Sequence, residues 1–238
     1  MQRIPNIDLN DEQIRELTID YYITRGSEGT ICEGILNNTL SKINMHNGKI
    51  LPLGDNKERK INELYKKQLE HSSIPVRTIS HKGNIVGFEM TTDPRFDKYS
   101  LYNLSLSDQK QLLLRSKEVL EYFTANDVIY GDVELRNILY NKENGEVFFC
   151  DMDNTQVGKY PMDLLPGIIN HYDSTRGIDD GVNAFAHNYL TLRMLGLDPY
   201  ESRRAIRKQF KRQGYKIIHS MQEPKSFIKD YCITYMKK

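Results

Sequence analysis

The spacing of apolar and polar positions near the N-terminus changes from a helical pattern to alternation. Residues 8–17 show helical spacing behind acidic and amide side chains that can cap a helix. Residues 19–26 are rich in β-branched and aromatic side chains and end at a glycine, which predicts a strand. Residues 26–44 predict two more strands joined at Asn37-Asn38, a pair that tolerates a tight turn. The chain therefore opens with a helix and a β meander.

A second helix and a hairpin are predicted next. Residues 55–70 begin with an aspartate that can cap a helix and continue with apolar residues at helical spacing. Residues 76–80 and 84–90 predict two strands that turn at Lys82-Gly83. These elements extend the early sheet and place one helix beside it.

The remainder of the chain predicts mainly helix. A polar, proline-containing break at 91–100 predicts a hinge. Helices are predicted at 106–125, 179–196, 200–216 and 226–238. We therefore expect an α+β fold with a β-rich domain at 1–92 and a mainly helical domain at 93–238.

Composition narrows the possible partners and compartments. The 33 basic and 32 acidic side chains give a net charge of +1, so charge gives no reason to expect nucleic acid or a membrane as partner. The basic residues of 200–216 are interpreted as a solvated helix face, and the alternative is a helix that docks an acidic substrate or nucleic acid. The three cysteines lack metal-ligand spacing, and no run approaches the ~20 apolar residues of a membrane span or resembles a signal peptide. We expect a cytoplasmic protein with reduced cysteines.

Candidate chemistry is concentrated in residues 128–153. An apolar strand leads to Asp132, Asn137 follows in the same loop, and a second apolar strand leads to Asp151. Phosphoryl transfer uses a carboxylate to position the attacking hydroxyl, and an asparagine and an aspartate to hold the magnesium ion that bridges the phosphates of ATP. Each aspartate could instead be an ordinary turn residue. The spacing of all three groups favours the catalytic interpretation.

This stretch resembles the catalytic and metal loops of the protein-kinase-like superfamily, H-R-D-L-x-x-x-N followed by D-F-G. The resemblance implies that Asp132 is the catalytic aspartate and that Asn137 and Asp151 are metal ligands. Tyr130-Gly131 replaces His-Arg, which is closer to the form seen in aminoglycoside phosphotransferases and RIO-type kinases.

Two departures from the family pattern affect the predicted chemistry. Glu134 stands where Ser/Thr kinases usually carry a lysine, and Met152-Asp153 replaces Phe-Gly. Arg136 is the nearest cation that could offset the developing phosphoryl charge, although it could simply pair with Glu134.

The early strands contain a second match to the family. Thr24-x-Gly26-x-x-Gly29-x-Ile31 resembles the kinase Gly-rich loop, and the resemblance implies that Gly26, Ser27, Gly29 and Ile31 bind ATP. Lys42, centred in a predicted strand, matches the lysine that contacts the α and β phosphates. An exposed surface lysine is the alternative for this position.

The family pattern also implies a carboxylate partner for Lys42 and a strand along the adenine. The partner would come from the helix at 55–70, where Glu58 is favoured over Glu63. Residues Glu89 and Met90 would lie along the adenine.

Together these matches imply a two-lobed protein-kinase-like fold, with a small β-rich N-lobe, one regulatory helix and a mainly helical C-lobe. The implied activity is transfer of the γ-phosphate of ATP, with Mg2+ or Mn2+, to a hydroxyl, as in a Ser/Thr protein kinase. Two alternatives stay open. One is a small-molecule kinase of aminoglycoside or choline type, and the other is a pseudokinase that acts as a nucleotide-binding scaffold.

Overall fold

The computed structural model describes residues 3–26, 29–95, 104–130, 132, 134–162, 181–194 and 208. Within these residues the fold is α+β, as the sequence predicts, and it contains a six-stranded sheet and four α-helices. None of the described helices is long and apolar enough to cross a membrane. The helices predicted at 200–216 and 226–238 lie outside the described residues, apart from Lys208.

The chain divides into two compact units. The first, the sheet unit, comprises Met1–Pro94 together with Asp151–Asp153, and the second unit comprises Arg95–Cys150 and Asn154–Lys238. The predicted boundary after residue 92 is close to the end of the first long segment. The segment Asp151–Asp153 groups with the sheet unit although it follows residues of the second unit in the chain.

The sheet unit is built on one mixed sheet. Its strands are β1 Asn6–Asp8, β2 Tyr22–Gly26, β3 Gly29–Glu33, β4 Thr39–Ile43, β7 Pro75–His81 and β8 Asn84–Thr91, and a small hairpin is formed by β5 Met45–His46 and β6 Lys49–Ile50. The order across the sheet is β1-β7-β8-β4-β3-β2. β1 pairs with β7 in parallel, and the other pairs are antiparallel.

Two helices cover opposite faces of this sheet, α1 Asp11–Ile19 and α2 Asp55–Lys67. Ile43 belongs to the apolar cluster that contains Ile14 of α1, whereas Phe88 belongs to the cluster that contains Ile61 of α2. Because side chains alternate along a strand, Lys42 lies on the opposite face from Ile43 and therefore on the face of α2.

The second unit contains two helices and short strand pairs in its described part. The helices are α3 Leu106–Ala125 and α4 Gly181–Met194, which pack on each other. The strands are β9 Val128–Ile129, β10 Ile138–Tyr140, β11 Val147–Phe149 and β12 Gln156–Val157. β10 pairs with β11 and β9 pairs with β12. The ring of Phe149 packs edge-on against Phe123 and Tyr130, so the strand that precedes Asp151 is anchored in the core of this unit.

Candidate functional site

Lys42 lies in the middle of β4, where strand pairing fixes the direction of its side chain. Its partners in register are Ile31 on β3 and Phe88 on β8. Lys42 is buried, with 7% of its surface exposed. Because burial of an unpaired ammonium group is costly, a lysine at this position requires an anionic partner.

The partners of Lys42 are two aspartates that follow β11. Lys42 Nζ lies 3.2 Å from Asp151 Oδ1 and 2.9 Å from Asp153 Oδ2. Lys42 and Asp151 are 109 positions apart in the chain. The structure therefore brings together the predicted phosphate-binding lysine and the predicted metal-binding aspartate.

Asp151 and Asp153 differ in exposure and in pKa. The Asp151 side chain is 38% exposed and that of Asp153 is 1% exposed. Burial and the charge of Asp153 raise the pKa of the Asp151 carboxyl to about 6, against the opposing effect of Lys42. Burial alone would also raise the pKa of Asp153, but the charges of Lys42 and Lys57 and their hydrogen bonds hold it well below its ordinary value. Asp153 is therefore the ionised, enclosed carboxylate, and Asp151 is the accessible one.

The helix α2 contributes a cation to this cluster. Lys57 Nζ lies 2.8 Å from Asp153 Oδ2 and donates a hydrogen bond of 3.1 Å to the carbonyl oxygen of Asp153. The sequence predicts that Glu58 pairs with Lys42, but Glu58 is not among the partners of Lys42 in the described part of the chain. In the structure Lys42 thus pairs with Asp151 and Asp153, and Lys57 pairs with Asp153.

The rotation of α2 accounts for this difference. The buried residues of α2 are Lys60, Ile61 and Leu64. Lys57 stands one helical turn before the first two of these residues, so its side chain extends along the buried face. Glu63, the alternative partner of the lysine, instead pairs with Lys66 at 2.6 Å on the exposed side of the helix.

The predicted catalytic loop is held by hydrogen bonds within the second unit. Asn137 Nδ2 donates to Asp132 Oδ2 at 3.1 Å and to the Asp132 carbonyl at 3.2 Å. Tyr130, which is fully buried, donates its hydroxyl to the Cys150 carbonyl at 2.5 Å. This loop thus brings together the predicted catalytic aspartate and the predicted metal-binding asparagine, and Tyr130 ties it to the residue that precedes Asp151.

Arg136 forms an ion pair with Glu134 within the loop. Its Nε lies 2.7 Å from Glu134 Oε2, and its side chain is 75% exposed. This is the pairing that the sequence offers as the alternative to a catalytic role. An exposed ion pair of this kind contributes at most about 1 kcal/mol, so the pairing leaves Arg136 able to exchange Glu134 for another anion.

Asn183 of α4 braces the strand that leads into the loop. Its side-chain oxygen accepts from Tyr130 N at 2.8 Å, and its amide donates to the Val128 carbonyl at 2.8 Å and to Thr124 Oγ1 at 2.9 Å. The resemblance to kinases implies such a brace at Asp179 or Asp180, either of which could equally be a helix N-cap, and both lie outside the described residues. The polar residue inside an apolar helical pattern was the signal that could have identified Asn183.

The predicted Gly-rich motif includes the end of β2 and the start of β3. Gly26 and Gly29 face each other in register, and Ser27 lies outside the described residues. Gly29 has a φ of +154°, and a Cβ there would lie 2.3 Å from the Ile43 carbonyl oxygen. Packing within the sheet is therefore sufficient to require a glycine at position 29, without any role in binding. Ile31, the remaining residue of the motif, is half-buried.

Glu89 and Met90, the residues predicted to lie along the adenine, have structural contacts. The Glu89 carboxylate is fully buried and accepts from Arg77 Nε at 2.7 Å, from Leu36 N at 3.2 Å and from Ile35 N. Met90 is part of the apolar cluster beneath α2. Neither side chain adds support to the prediction that this pair contacts a nucleotide.

Each unit, taken by itself, carries side-chain oxygens of the kind that magnesium binds. Magnesium prefers carboxylate and amide oxygens. In the sheet unit, Asp151 is accessible, whereas both oxygens of Asp153 are bound by lysines. In the second unit, Asn137 donates from its amide nitrogen to Asp132, so its side-chain oxygen is the atom that could bind a cation. Each unit therefore carries one donor of the kind that the sequence predicts.

No family model matches this sequence, and no curated protein matches it significantly. The interpretation of the site therefore depends on the geometry of its residues. Sequence reasoning missed Lys57 and Asp153 as members of the charged cluster. The D-x-D spacing of Asp151 and Asp153 was visible in the sequence, whereas Lys57 has no local signal beyond its position on the helix.

Proposed function

We propose that the chain is an ATP-dependent phosphotransferase of the protein-kinase-like type with a hydroxyl as acceptor. The observation that carries the proposal is the contact of 3.2 Å between Lys42 and Asp151. The two residues were predicted from separate motifs, as a phosphate-binding lysine and as a metal ligand. An ordinary surface lysine would be exposed, whereas Lys42 is buried against this aspartate.

In this proposal four side chains have distinct roles in phosphoryl transfer. When bound, magnesium-ATP supplies the γ-phosphoryl group and neutralises charge at the phosphates. Lys42 would bind the phosphates, and Asp151 and Asn137 would hold the metal ion through their oxygens. Asp132, which accepts a hydrogen bond from Asn137, would accept the proton of the acceptor hydroxyl.

The sheet unit and the second unit correspond, in this proposal, to the small and large lobes of a kinase-like fold. A sheet with a buried lysine and one helix over the same face supports the first assignment. A loop that carries Asp132 and Asn137, braced from α4, supports the second. A serine or threonine of a protein is the first candidate for the acceptor, and a small-molecule hydroxyl is the alternative.

One observation favours a second candidate function, a nucleotide-binding pseudokinase. Glu134 replaces the usual loop lysine, and Arg136, the cation nearest to it in the loop, is bound to Glu134 at 2.7 Å. If Arg136 stays paired with Glu134, the loop presents no cation to the transferred phosphoryl group and would stabilise it poorly. Binding of magnesium-ATP without transfer of its γ-phosphate would favour this candidate.

Substitution of the two predicted aspartates tests the phosphotransferase proposal. Asp151→Ala should abolish the magnesium-dependent stabilisation by ATP, because it removes a metal ligand. Asp132→Ala should keep that stabilisation and lose transfer of labelled γ-phosphate, because this residue acts on the acceptor. At 100 times the dissociation constant, ATP should stabilise a competent protein by about 2.7 kcal/mol. Thermal-shift titration and labelled-phosphate transfer, on generic protein acceptors and on aminoglycosides, measure the two effects.

Asp11→Ala is the matched control, since the Asp11 carboxylate is 72% exposed and pairs with Lys82 at the surface. It should leave both measurements unchanged. Equal stabilisation of the Asp151→Ala protein and the unsubstituted protein by magnesium-ATP would remove the metal assignment. Absence of any nucleotide binding by the unsubstituted protein would reject the proposed function.

A further inference from the structure

The charged cluster around Asp153 has a geometry that the family pattern does not predict. Asp153 Oδ1 accepts from Lys42 at 3.1 Å, and Oδ2 accepts from Lys42 at 2.9 Å. Lys57 reaches Oδ2 at 2.8 Å and the Asp153 carbonyl at 3.1 Å. The side chains are 9%, 15% and 1% exposed for Lys42, Lys57 and Asp153. One enclosed carboxylate therefore joins a strand lysine to a helix lysine.

The position of Lys57 on its helix makes this carboxylate important. Lys57 lies in the first turn of α2, which begins at Asp55, and the N-cap Gly54 forms no side-chain cap. The N-terminal end of a helix carries a partial positive charge, which disfavours a lysine and favours an external carboxylate. Asp55 and Glu58 already place carboxylates in this first turn, and Asp153 offsets the charge of the enclosed Lys57 ammonium group. Removing one partner of such a buried pair is costly, because the remaining charge stays enclosed.

We propose that Asp153 is the carboxylate that holds Lys42 in place, and that Lys57 is a positioning residue through which α2 orients Asp153. The inference rests on the proposed function, since it gives Asp153 the role that the sequence assigns to a glutamate of the helix. The charges differ from the predicted arrangement, in which the helix supplies a glutamate. Here the helix supplies a lysine, and the segment after β11 supplies the carboxylate. A displacement of α2 would move Asp153 and, with it, the ammonium group of Lys42.

A double substitution distinguishes a positioning role from a purely structural one. If Lys57 acts only through Lys42, its loss should matter little once the Lys42 ammonium group is gone. If Lys57 merely stabilises the fold, the two losses should be independent and their effects on kcat/KM should multiply.

The experiment compares Lys57→Met, Lys42→Met and the double variant in the full chain. The measured quantities are kcat and KM for magnesium-ATP in phosphate transfer to a generic protein acceptor, and the dissociation constant for magnesium-ATP. Lys57→Met should lower kcat/KM about 10-fold, and the double variant should lie within about twofold of Lys42→Met. Lys57→Arg keeps the charge and should retain most of the activity. If Lys57→Met does not fold, Lys57→Gln, which keeps hydrogen-bond donors, takes its place.

Lys66→Met is the matched control on the same helix, since Lys66 pairs with Glu63 on the exposed side. It should change neither kcat nor KM. If the unsubstituted protein is active and Lys57→Met behaves like Lys66→Met, or if the effects of the two lysine substitutions multiply, the positioning role is wrong while the proposed function stands. If the unsubstituted protein binds no magnesium-ATP, the proposed function and this inference both fail.

Discussion

Two aspartates of identical chemistry, Asp151 and Asp153, have opposite shifts in pKa. The pKa of Asp151 is raised to about 6, chiefly by burial, whereas two lysines outweigh the effect of burial at Asp153 and lower its pKa. The difference comes from the number of cations, because Asp151 contacts Lys42 and Asp153 contacts both Lys42 and Lys57. The local environment therefore leaves the Asp151 carboxylate accessible for another partner and keeps the Asp153 carboxylate ionised between two lysines.

A residue outside the site, His187, should control part of the pH dependence of stability. His187 is buried in α4, its Nε2 lies 2.9 Å from the Leu113 carbonyl, and burial lowers its pKa to about 4. The unfolded chain binds a proton near pH 6.5, whereas the folded chain stays neutral until about pH 4. The contribution is therefore complete above pH 6.5 and is lost as pH falls, by roughly 2 kcal/mol at pH 5.

Urea unfolding of the unsubstituted protein and of His187→Gln at pH 7.5 and pH 5 measures this loss. Groups that titrate in both proteins cancel in the difference between them. The difference in unfolding free energy should shrink by roughly 2 kcal/mol at the lower pH. An equal difference in unfolding free energy at both pH values would show that burial does not lower the pKa of His187 as described.

The residue contacts of the site were only partly predictable from the sequence. Lys42 and Asp151 could be predicted because each belongs to a motif with fixed spacing. Asp153 and Lys57 could not be assigned as partners, because helical periodicity identifies a buried face and says nothing about which charge meets which across the fold. A shift of one residue on α2 exchanges the predicted Glu58 for Lys57.

Helices and turns with strong local signals agree best with the sequence. α3 has the predicted bounds, Leu106–Ala125, and begins at a Ser105 cap. The hairpin turn at Lys82-Gly83 has both residues at positive φ, as its turn type requires. The strand predicted from residue 19 begins only at Tyr22, because α1 extends through Ile19. The preference of this β-branched residue for a strand is overridden by its position in the helix.

Short strands whose partners lie far away in the chain were missed. β1 spans three residues, Asn6–Asp8, and pairs with β7, where Asn6 faces Thr78. Three residues are too few for periodicity to be recognised, and the parallel partner provides the structure that the local sequence does not specify. The same reason applies to the two-residue strand β12, whereas β9 lies in the apolar stretch predicted as a strand before Asp132.

Asn183 joins three elements, and its removal should destabilise the second unit. Asn183→Ala would leave Tyr130 N and the Val128 carbonyl without the hydrogen bonds that they now make to this side chain. Each buried group left unpaired costs about 1–3 kcal/mol, so a total on the order of 3 kcal/mol is expected. Urea unfolding measures it, and the exposed Asn144→Ala serves as control. A loss below about 0.5 kcal/mol would show that water replaces the brace.

At the scale of the whole molecule, the two units should respond differently to loss of Asp153. Asp153→Asn removes the carboxylate from two enclosed lysines of the sheet unit, and breaking such a pair costs about 3–5 kcal/mol. Amide hydrogen exchange should therefore accelerate in β4 and α2 and stay unchanged in α3. Asp11→Asn is the surface control. Equal acceleration in both units would mean that they unfold as one.

The place of Asp153 in the chain also has a consequence for synthesis on the ribosome. Lys57 is made 96 positions before the aspartate that neutralises it. At about 5–20 residues per second, that interval lasts roughly 5–20 s. During this time the nascent sheet carries two lysines whose common counter-charge has not yet been made. The sheet unit therefore cannot enclose these two lysines together with their counter-charge until residue 153 has been synthesised.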